Sequence, residues 1–228
     1  MIGFFPIIIY AFFIYGMDVW KMLQKYSGQP LTHQLLLSSL KEYKRPNDKI
    51  HELMANGILF PIKKGLYIPG FNLNIAGPEP FLLANHILGP SYVSLESALS
   101  FHGLIPERVF GVSSVTTKAS RHFQTSLGEF SYKRLSLPYY SFGIQHIKIA
   151  EKQFVLMASP EKALCDKVFT TAGVILRSKK STMDYLNLDL RVDVDQLNKL
   201  DTSTMREWLS HTPKRNSLFQ LIKTIEAI

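Results

Sequence analysis

The residue types that most often carry out catalysis are present, but none of them is grouped in a pattern typical of an active site. The seven histidines lie at least sixteen residues apart, so no pair has the spacing of metal ligands on one element. The thirteen glycines are never closer than five residues, so a dinucleotide fingerprint is absent, and none of them is followed by the lysine of a phosphate-binding loop. The chain also has no Gly-x-Ser-x-Gly elbow. We therefore predict no catalytic residue, no metal and no cofactor.

One acidic group keeps a catalytic alternative open. Asp189, Asp193 and Asp195 are close enough in sequence to collect a divalent cation. Together with Glu129 and Lys133 they would form a metal-dependent nuclease assembled across several elements. Short acidic runs are more often helix caps or solvated turns. The nuclease is therefore the alternative hypothesis, which incubation with plasmid and magnesium would test.

The single cysteine, Cys165, excludes an internal disulfide and a cysteine-based zinc site. A lone thiol is consistent with a reducing, cytoplasmic setting. The run Ser159-Pro160-Glu161 predicts a helix start, with a cap, a first-turn proline and an early acid. One face of this helix carries Leu164, Cys165, Val168 and Phe169, and the other carries Lys162 and Asp166. Cys165 is therefore predicted to be a small core residue and not a nucleophile.

Positive charge is the strongest chemical signal in the sequence. Lys and Arg number 26 against 18 Asp and Glu, which gives a net charge of +8. Residues 1–75 carry +4 and residues 108–180 carry +8, whereas the stretch between them holds three acids and no base. Two basic segments predict a polyanionic partner, most simply nucleic acid. The alternative is a solvated basic surface with no specific role.

The first basic segment has the element order of a winged helix-turn-helix. Asp18 and Thr32 are candidate caps for two short helices, and Pro46 suits the first turn of a third helix that ends at Gly57. Two short strands, 58–62 and 66–68, then flank the basic turn Lys63-Lys64-Gly65. In such a domain the third helix enters the major groove of DNA and the hairpin contacts phosphates.

The side chains of this segment divide into two expected roles. Lys44, Arg45, Lys63 and Lys64 are predicted to neutralise phosphates, while Asn47, Lys49 and His51 are predicted to reach base edges. Asp48 and Glu52 fall on the outward face of the third helix, where phosphates would repel them. A domain of this kind used only for protein contacts is therefore the competing interpretation.

The remaining chain is predicted to form a larger α+β domain. We expect a winged helix-turn-helix over residues 17–70, a linker over 71–77 and the second domain over 78–228. Strands are predicted at 112–117, 129–135, 144–149 and 154–158, and short helices beyond 182. A second basic surface is predicted from Lys118, Arg121, Lys133 and Arg134.

The first sixteen residues, MIGFFPIIIYAFFIYG, are apolar and uncharged. A spanning helix needs about 20 apolar residues, and this run is shorter and interrupted by Pro6. It also lacks the basic start of a signal peptide. We predict that Met17 is the native start and that residues 1–16 are a non-native or disordered extension. The alternative is a membrane-tethered adaptor anchored by this run. N-terminal sequencing and membrane fractionation would distinguish the two predictions.

Four segments together resemble a known family. KKGLYIPG closes the predicted hairpin, YVSLESALSFHGLIPE and ASPEKALCDKVF carry two predicted helices, and YLNLDLRVD follows them. In this order, from Met17 to the C-terminus, they resemble the AbiEi-type antitoxins of bacterial abortive-infection, type IV toxin–antitoxin systems.

The resemblance implies a two-domain regulator that is not an enzyme and has no small-molecule substrate. The N-terminal domain would bind inverted repeats in the promoter of its own operon, as double-stranded DNA, and repress transcription. The C-terminal antitoxin domain would counteract a nucleotidyltransferase-like toxin, without necessarily forming a stable complex with it. The family's DNA-contact role carries over to Lys44, Arg45, Lys63 and Lys64.

Overall fold

The structure is a computed structural model that describes residues 17–107 and 109–228. The predicted extension 1–16, and with it the alternative of a membrane anchor, lies outside these residues. Within them, no helix combines the length and apolar character needed to cross a membrane. The chain divides into two compact units. The smaller holds the described residues up to Ile87 with 125–127 and 148–153, and the larger holds the others, from Leu88 to Ile228.

The smaller unit combines four helices with a three-stranded antiparallel sheet. Its helices are α1 (Met17–Lys25), α2 (His33–Ser39), α3 (Pro46–Ala55) and α4 (Pro80–Ile87). Its strands are β1 (Leu31–Thr32), β2 (Leu59–Lys63) and β3 (Leu66–Pro69), and they lie in the order β1-β3-β2. The two-residue strand β1 pairs with β3, so the segment before α2 is fixed to the hairpin.

Local signals in the sequence set the boundaries of these helices. The Thr32 side chain accepts a hydrogen bond from the Leu35 amide and caps α2, and Pro46 occupies the first turn of α3. Gly57 follows α3 with φ +68°, a left-handed conformation that glycine adopts without strain. The predicted cap at Thr32, the start at Pro46 and the end at Gly57 are confirmed.

One apolar core holds the smaller unit together. Its buried side chains come from the first three helices, from the hairpin and from the segments next to them: Val19, Met22, Leu23, Leu31, Leu36, Leu40, Ile50, Leu53, Ile58, Leu59, Tyr67 and Leu73. Gly70 brings the end of the hairpin against the end of α3, because a Cβ there would lie 1.8 Å from the Gly57 carbonyl oxygen. Burial of this apolar surface is the main stabilising contribution.

The larger unit is built around a six-stranded mixed sheet in the order β6-β7-β5-β4-β9-β8. Its strands are β4 (Ser91–Val93), β5 (Val112–Thr116), β6 (Arg121–Thr125), β7 (Gly128–Arg134), β8 (Ile144–Ala150) and β9 (Gln153–Ala158), of which Thr125, residues 148–150 and Gln153 are grouped with the smaller unit. Its helices are α5 (Leu95–Phe101), α6 (Pro160–Thr170), α7 (Lys179–Asp184), α8 (Val194–Leu197), α9 (Thr202–Glu207) and α10 (Arg215–Ile225). The described residues thus form a mixed α+β protein, the class predicted from the sequence.

The sheet contains two strands that the sequence pattern does not predict. β4 has only three residues, and its pairing with β5 and β9 is what makes it recognisable as a strand. β6 reads Arg-His-Phe-Gln-Thr and is largely exposed at the edge of the sheet, so it lacks the apolar alternation of a half-buried strand. The four strands predicted between residues 112 and 158 are confirmed to within two residues at each end.

Candidate nucleic-acid interface

Helix α3 presents a polar face to solvent. Ile50 and Leu53 are its buried anchors, and α3 packs against α2 and β2 through this side. The exposed side carries Asn47, Asp48, His51 and Glu52. The predicted outward position of the two acids is therefore confirmed, and two predicted base-contacting residues lie beside them.

Both acids of this face are paired with a neighbouring cation. Arg45 Nη1 lies 3.6 Å from Asp48 Oδ2, and Lys49 Nζ lies 2.8 Å from Glu52 Oε1. The Lys49 side chain is only 12% exposed, and its ammonium also sits 5.3 Å from the centre of the Tyr43 ring. Because each pair is locally neutral, this face has little net charge to oppose a phosphate backbone.

The hairpin turn separates its two lysines into different environments. The partly buried Lys63 ammonium donates to the Ile87 carbonyl at the end of α4, whereas Lys64 is exposed. Gly65 completes the turn with φ +83°, and its carbonyl accepts from the His33 amide. Lys64 is therefore the cation that the turn presents to solvent.

Of the seven predicted DNA-contacting residues, five are exposed and two are partly buried. Lys44, Arg45, Asn47, His51 and Lys64 are the exposed ones. Lys49 and Lys63 each have a protein partner and a restricted side chain. Lys44 lies in the turn before α3, so this turn, the outward face of α3 and the hairpin turn form the candidate interface.

The four cations of the predicted second basic surface are all exposed. Arg134 ends β7 and pairs with Thr116 at the end of the parallel strand β5. Its amide also donates to Ser120 Oγ at 3.0 Å, just before β6 begins at Arg121. The strand register therefore gathers Lys118, Arg121, Lys133 and Arg134 near one end of the sheet.

The sequence pattern fails on α6, where the structure shows a buried ion pair. Lys162 and Asp166 are predicted on the face opposite the apolar one, yet both side chains are completely buried. Lys162 Nζ lies 3.1 Å from Asp166 Oδ1 and donates to the Tyr139 carbonyl at 2.9 Å. The same ammonium is 3.2 Å from the centre of the Tyr139 ring. The ion pair thus lies in the core of the larger unit.

Three hydroxyl groups donate hydrogen bonds to the buried carboxylate of Asp166. Tyr92 and Ser94 donate to Asp166 Oδ2 at 2.9 and 2.7 Å, and Tyr139 donates to Oδ1 at 3.0 Å. Ser94 directly precedes α5, but its side chain does not cap that helix and donates to Asp166 instead. These hydrogen bonds offset part of the cost of burying two charges.

The titration properties of this cluster follow from its burial. Burial raises the pKa of Tyr92 and Tyr139 far above the usual range, and the Asp166 carboxylate reinforces the effect. Burial lowers the pKa of Lys162, and Asp166 opposes that change. Burial also raises the pKa of the Cys165 thiol, which is completely buried. The prediction that Cys165 is a core residue is confirmed.

The acids of the alternative nuclease do not come together in the structure. Asp193 caps α8, with its Oδ1 accepting from the Asp195 amide at 3.0 Å. Among residues 17–107 and 109–228, no group of three or more His, Cys, Asp and Glu side chains has the geometry of a metal site. Asp193 thus has the capping role common for an acid in a short acidic run.

Comparison with known proteins yields a similarity of fold. No protein-family model and no curated protein sequence matches the chain. A crystal structure of the Rv2827c protein from Mycobacterium tuberculosis is similar, with a TM-score of 0.61 and 16% sequence identity. The match covers 92% of this chain and 77% of that one. At this identity the two proteins share an arrangement of helices and strands, and the chain has the fold of Rv2827c.

Proposed function

We propose that the chain is a non-enzymatic, DNA-binding antitoxin that represses its own toxin–antitoxin operon. In this proposal residues 17–70 of the smaller unit form a winged helix-turn-helix, α3 is the helix that enters the major groove, and the β2–β3 hairpin is the wing. The larger unit counteracts a nucleotidyltransferase-like toxin, as the resemblance to the AbiEi-type antitoxins implies. A stable complex with the toxin is not required.

One observation carries the DNA-binding part of the proposal. Exposed cations lie on both sides of α3 in the chain, at Lys44 in the turn before it and at Lys64 in the hairpin turn after it. A helix flanked by two such turns is the arrangement that positions a protein on the phosphates of both groove walls. Base edges would then face Asn47 and His51, whose amide and imidazole groups form hydrogen bonds with purine edges.

The antitoxin part is tested by co-expression. If a nucleotidyltransferase-like gene adjoins the gene for this chain, its expression alone should arrest growth, and co-expression of the full chain should restore it. The Lys44→Ala/Lys64→Ala variant should still restore growth when both genes are driven by foreign promoters, because DNA binding is assigned to the smaller unit. Growth arrest that persists with the folded parent chain would contradict the antitoxin assignment.

Neutralising the two paired acids of α3 should strengthen binding to DNA, whereas most substitutions on a DNA-binding surface weaken it. Asp48→Asn/Glu52→Gln should tighten duplex binding about fivefold to fiftyfold at 0.1 M salt. The substitutions remove two negative charges and release Arg45 and Lys49 to interact with phosphates, each contact adding roughly 0.9 to the salt slope. Fluorescence anisotropy of a labelled 25-base-pair duplex measures the change.

A control variant separates this local effect from a change in net charge. Asp184→Asn/Asp195→Asn removes two exposed acids of the larger unit and should change duplex affinity by less than about threefold. Equal gains in the two double variants would mean that α3 does not face the DNA. The Asp48→Asn/Glu52→Gln variant could also keep its affinity but lose its preference for one DNA sequence. That result would mean that one of the two carboxylates accepts a hydrogen bond from cytosine N4.

A further inference from the structure

A groove of the larger unit is not used by the proposed DNA-binding function. It measures about 810 Å³ and lies between the segment that follows β7 and the segment before α10. Arg134, Ser136, Ser210 and His211 supply its polar groups, and Pro138, Tyr139, Phe169 and Pro213 are among its apolar ones. Its size is that of a site for a small molecule or a single nucleotide.

The lining has the chemistry of a site for an anion that also carries a flat apolar group. Arg134 is exposed at one wall, and no carboxylate is among the described residues that line the groove. A guanidinium binds phosphate oxygens through two parallel hydrogen bonds, which an ammonium cannot do. The neighbouring Lys133 is also exposed, but successive strand residues point to opposite faces of a sheet, so Arg134 is the cation assigned to the groove.

The opposite wall offers hydrogen-bonding groups. Ser210 and His211 are exposed there, and the His211 ring is held 5.7 Å from the Phe142 ring. The Thr212 hydroxyl, also in the lining, is shielded from solvent and has no hydrogen-bond partner among the residues that the structure describes.

The floor of the groove is held rigidly by the buried ion pair. Tyr139 lines the groove, yet its hydroxyl donates to Asp166 and its carbonyl accepts from Lys162. Its ring also packs edge-on against Phe169, with 5.0 Å between ring centres. A floor fixed by charge-assisted hydrogen bonds needs little reorganisation when a ligand binds.

The wall that carries Ser210 and His211 is also anchored. Lys214 directly follows the groove residue Pro213, and its ammonium donates to the carbonyls of Val168, Thr171 and Val174 at 2.8 to 3.0 Å. These carbonyls lie at and just after the end of α6, where a positive charge is favourable. This wall and the floor are therefore preorganised.

We infer that this groove binds a nucleoside phosphate, with the phosphate on Arg134 and the base against the apolar floor. The nucleotide comes either from free solution or from an unpaired strand of nucleic acid, since both present the same phosphate, sugar and base. The site lies wholly in the larger unit and stands independently of duplex binding by α3.

Isothermal titration calorimetry of the full chain tests this inference with AMP, inorganic phosphate and an unpaired dT12 strand. AMP or dT12 should bind the parent chain with a dissociation constant in the micromolar range. Arg134→Ala should weaken that binding about tenfold to a hundredfold, because a charge-assisted pair is lost. Arg134→Lys should recover only part of the loss, since the second hydrogen bond is missing.

Two control variants and one variant that blocks the groove make the outcomes distinguishable. Arg177→Ala, an exposed arginine of the same unit outside the groove, should leave the affinity for AMP within twofold of the parent. The Lys44→Ala/Lys64→Ala variant should also bind AMP normally, whether or not duplex binding by the smaller unit is correct. Ser210→Phe, which fills the groove from its wall, should abolish binding without removing charge.

Each outcome decides between defined alternatives. Arg134-dependent binding of AMP identifies a free nucleotide as the ligand, and Arg134-dependent binding of dT12 alone identifies an unpaired strand. Inorganic phosphate that binds as tightly as AMP would overturn the inference, because no base would then be recognised. An absence of binding by both AMP and dT12, or binding that Arg134→Ala leaves unchanged, would also overturn it.

Discussion

Asp166→Ala should lower the free energy of unfolding of the larger unit by about 3–5 kcal/mol. The substitution leaves the Lys162 ammonium buried without its carboxylate, and it leaves the hydroxyls of Tyr92, Ser94 and Tyr139 without their acceptor. Removing one partner of a buried pair costs more than the pair contributes, because the other charge stays desolvated.

The network also predicts an asymmetry between its two charged residues. Lys162→Met should cost less than Asp166→Ala, because the Asp166 carboxylate would keep three hydroxyl donors. Denaturant titration in a Trp20→Phe background makes Trp208 the remaining tryptophan, and Trp208 is buried in the larger unit. Asp166→Asn, which keeps the size of the side chain, provides a measurable variant if Asp166→Ala does not fold.

The ion pair between Lys167 and Glu96 provides a matched control on the same helix. Both of its side chains are partly exposed, so Glu96→Ala should cost no more than about 1 kcal/mol. A loss of stability in Asp166→Ala that is no greater than in Glu96→Ala would show that the buried network does not stabilise the larger unit. It would also remove the argument that the network holds the groove floor.

Lys44→Ala/Lys64→Ala should weaken binding to duplex DNA about 60-fold at 0.1 M salt and reduce the salt slope by about two. Each phosphate contact contributes roughly 0.9 to that slope, which amounts to about eightfold in affinity between 1 M and 0.1 M salt. Both side chains are exposed, so the loss should not be accompanied by unfolding. The expected weakening is similar for every duplex sequence, since phosphates carry no sequence information.

Lys21→Ala/Lys25→Ala is the matched control for this double variant. It removes the same charge from the same unit, at two exposed positions of α1. It should reduce the salt slope by less than half as much as Lys44→Ala/Lys64→Ala does. Identical slopes for the two double variants would mean that the turn before α3 and the hairpin turn do not contact the DNA. Lys63→Ala should reduce the salt slope of duplex binding less than Lys64→Ala does, because the Lys63 ammonium donates to the Ile87 carbonyl.

Capping residues, proline positions and charge made much of the fold predictable from sequence. Thr32 and Ser159 each accept a hydrogen bond from an amide in the first turn of their helices, as their position before an apolar run indicates. Pro46 and Pro160 occupy first turns for the same local reason. The exposed position of Lys44 and Lys64 also follows from short-range information, because turns lie on the surface.

The features that escaped prediction all depend on partners far along the chain. Lys162 and Asp166 are one helical turn apart and carry charge, so their sequence context is typical of a solvated face. Their burial depends on Tyr92 and Ser94, about seventy residues earlier, and on Tyr139. The groove at Arg134 likewise needs His211, which the fold brings opposite from the segment before α10. The i, i+4 spacing of Lys162 and Asp166 is the local signal that the sequence offers for this pair.

The most direct test of the proposed function compares two labelled duplexes by fluorescence anisotropy across a range of salt. One carries the DNA immediately upstream of the gene for this chain, and the other has the same base composition in scrambled order. The upstream duplex should bind at least about a hundredfold more tightly, and both affinities should fall steeply as salt rises. Equal affinity for the two duplexes, even at low ionic strength, would contradict the account.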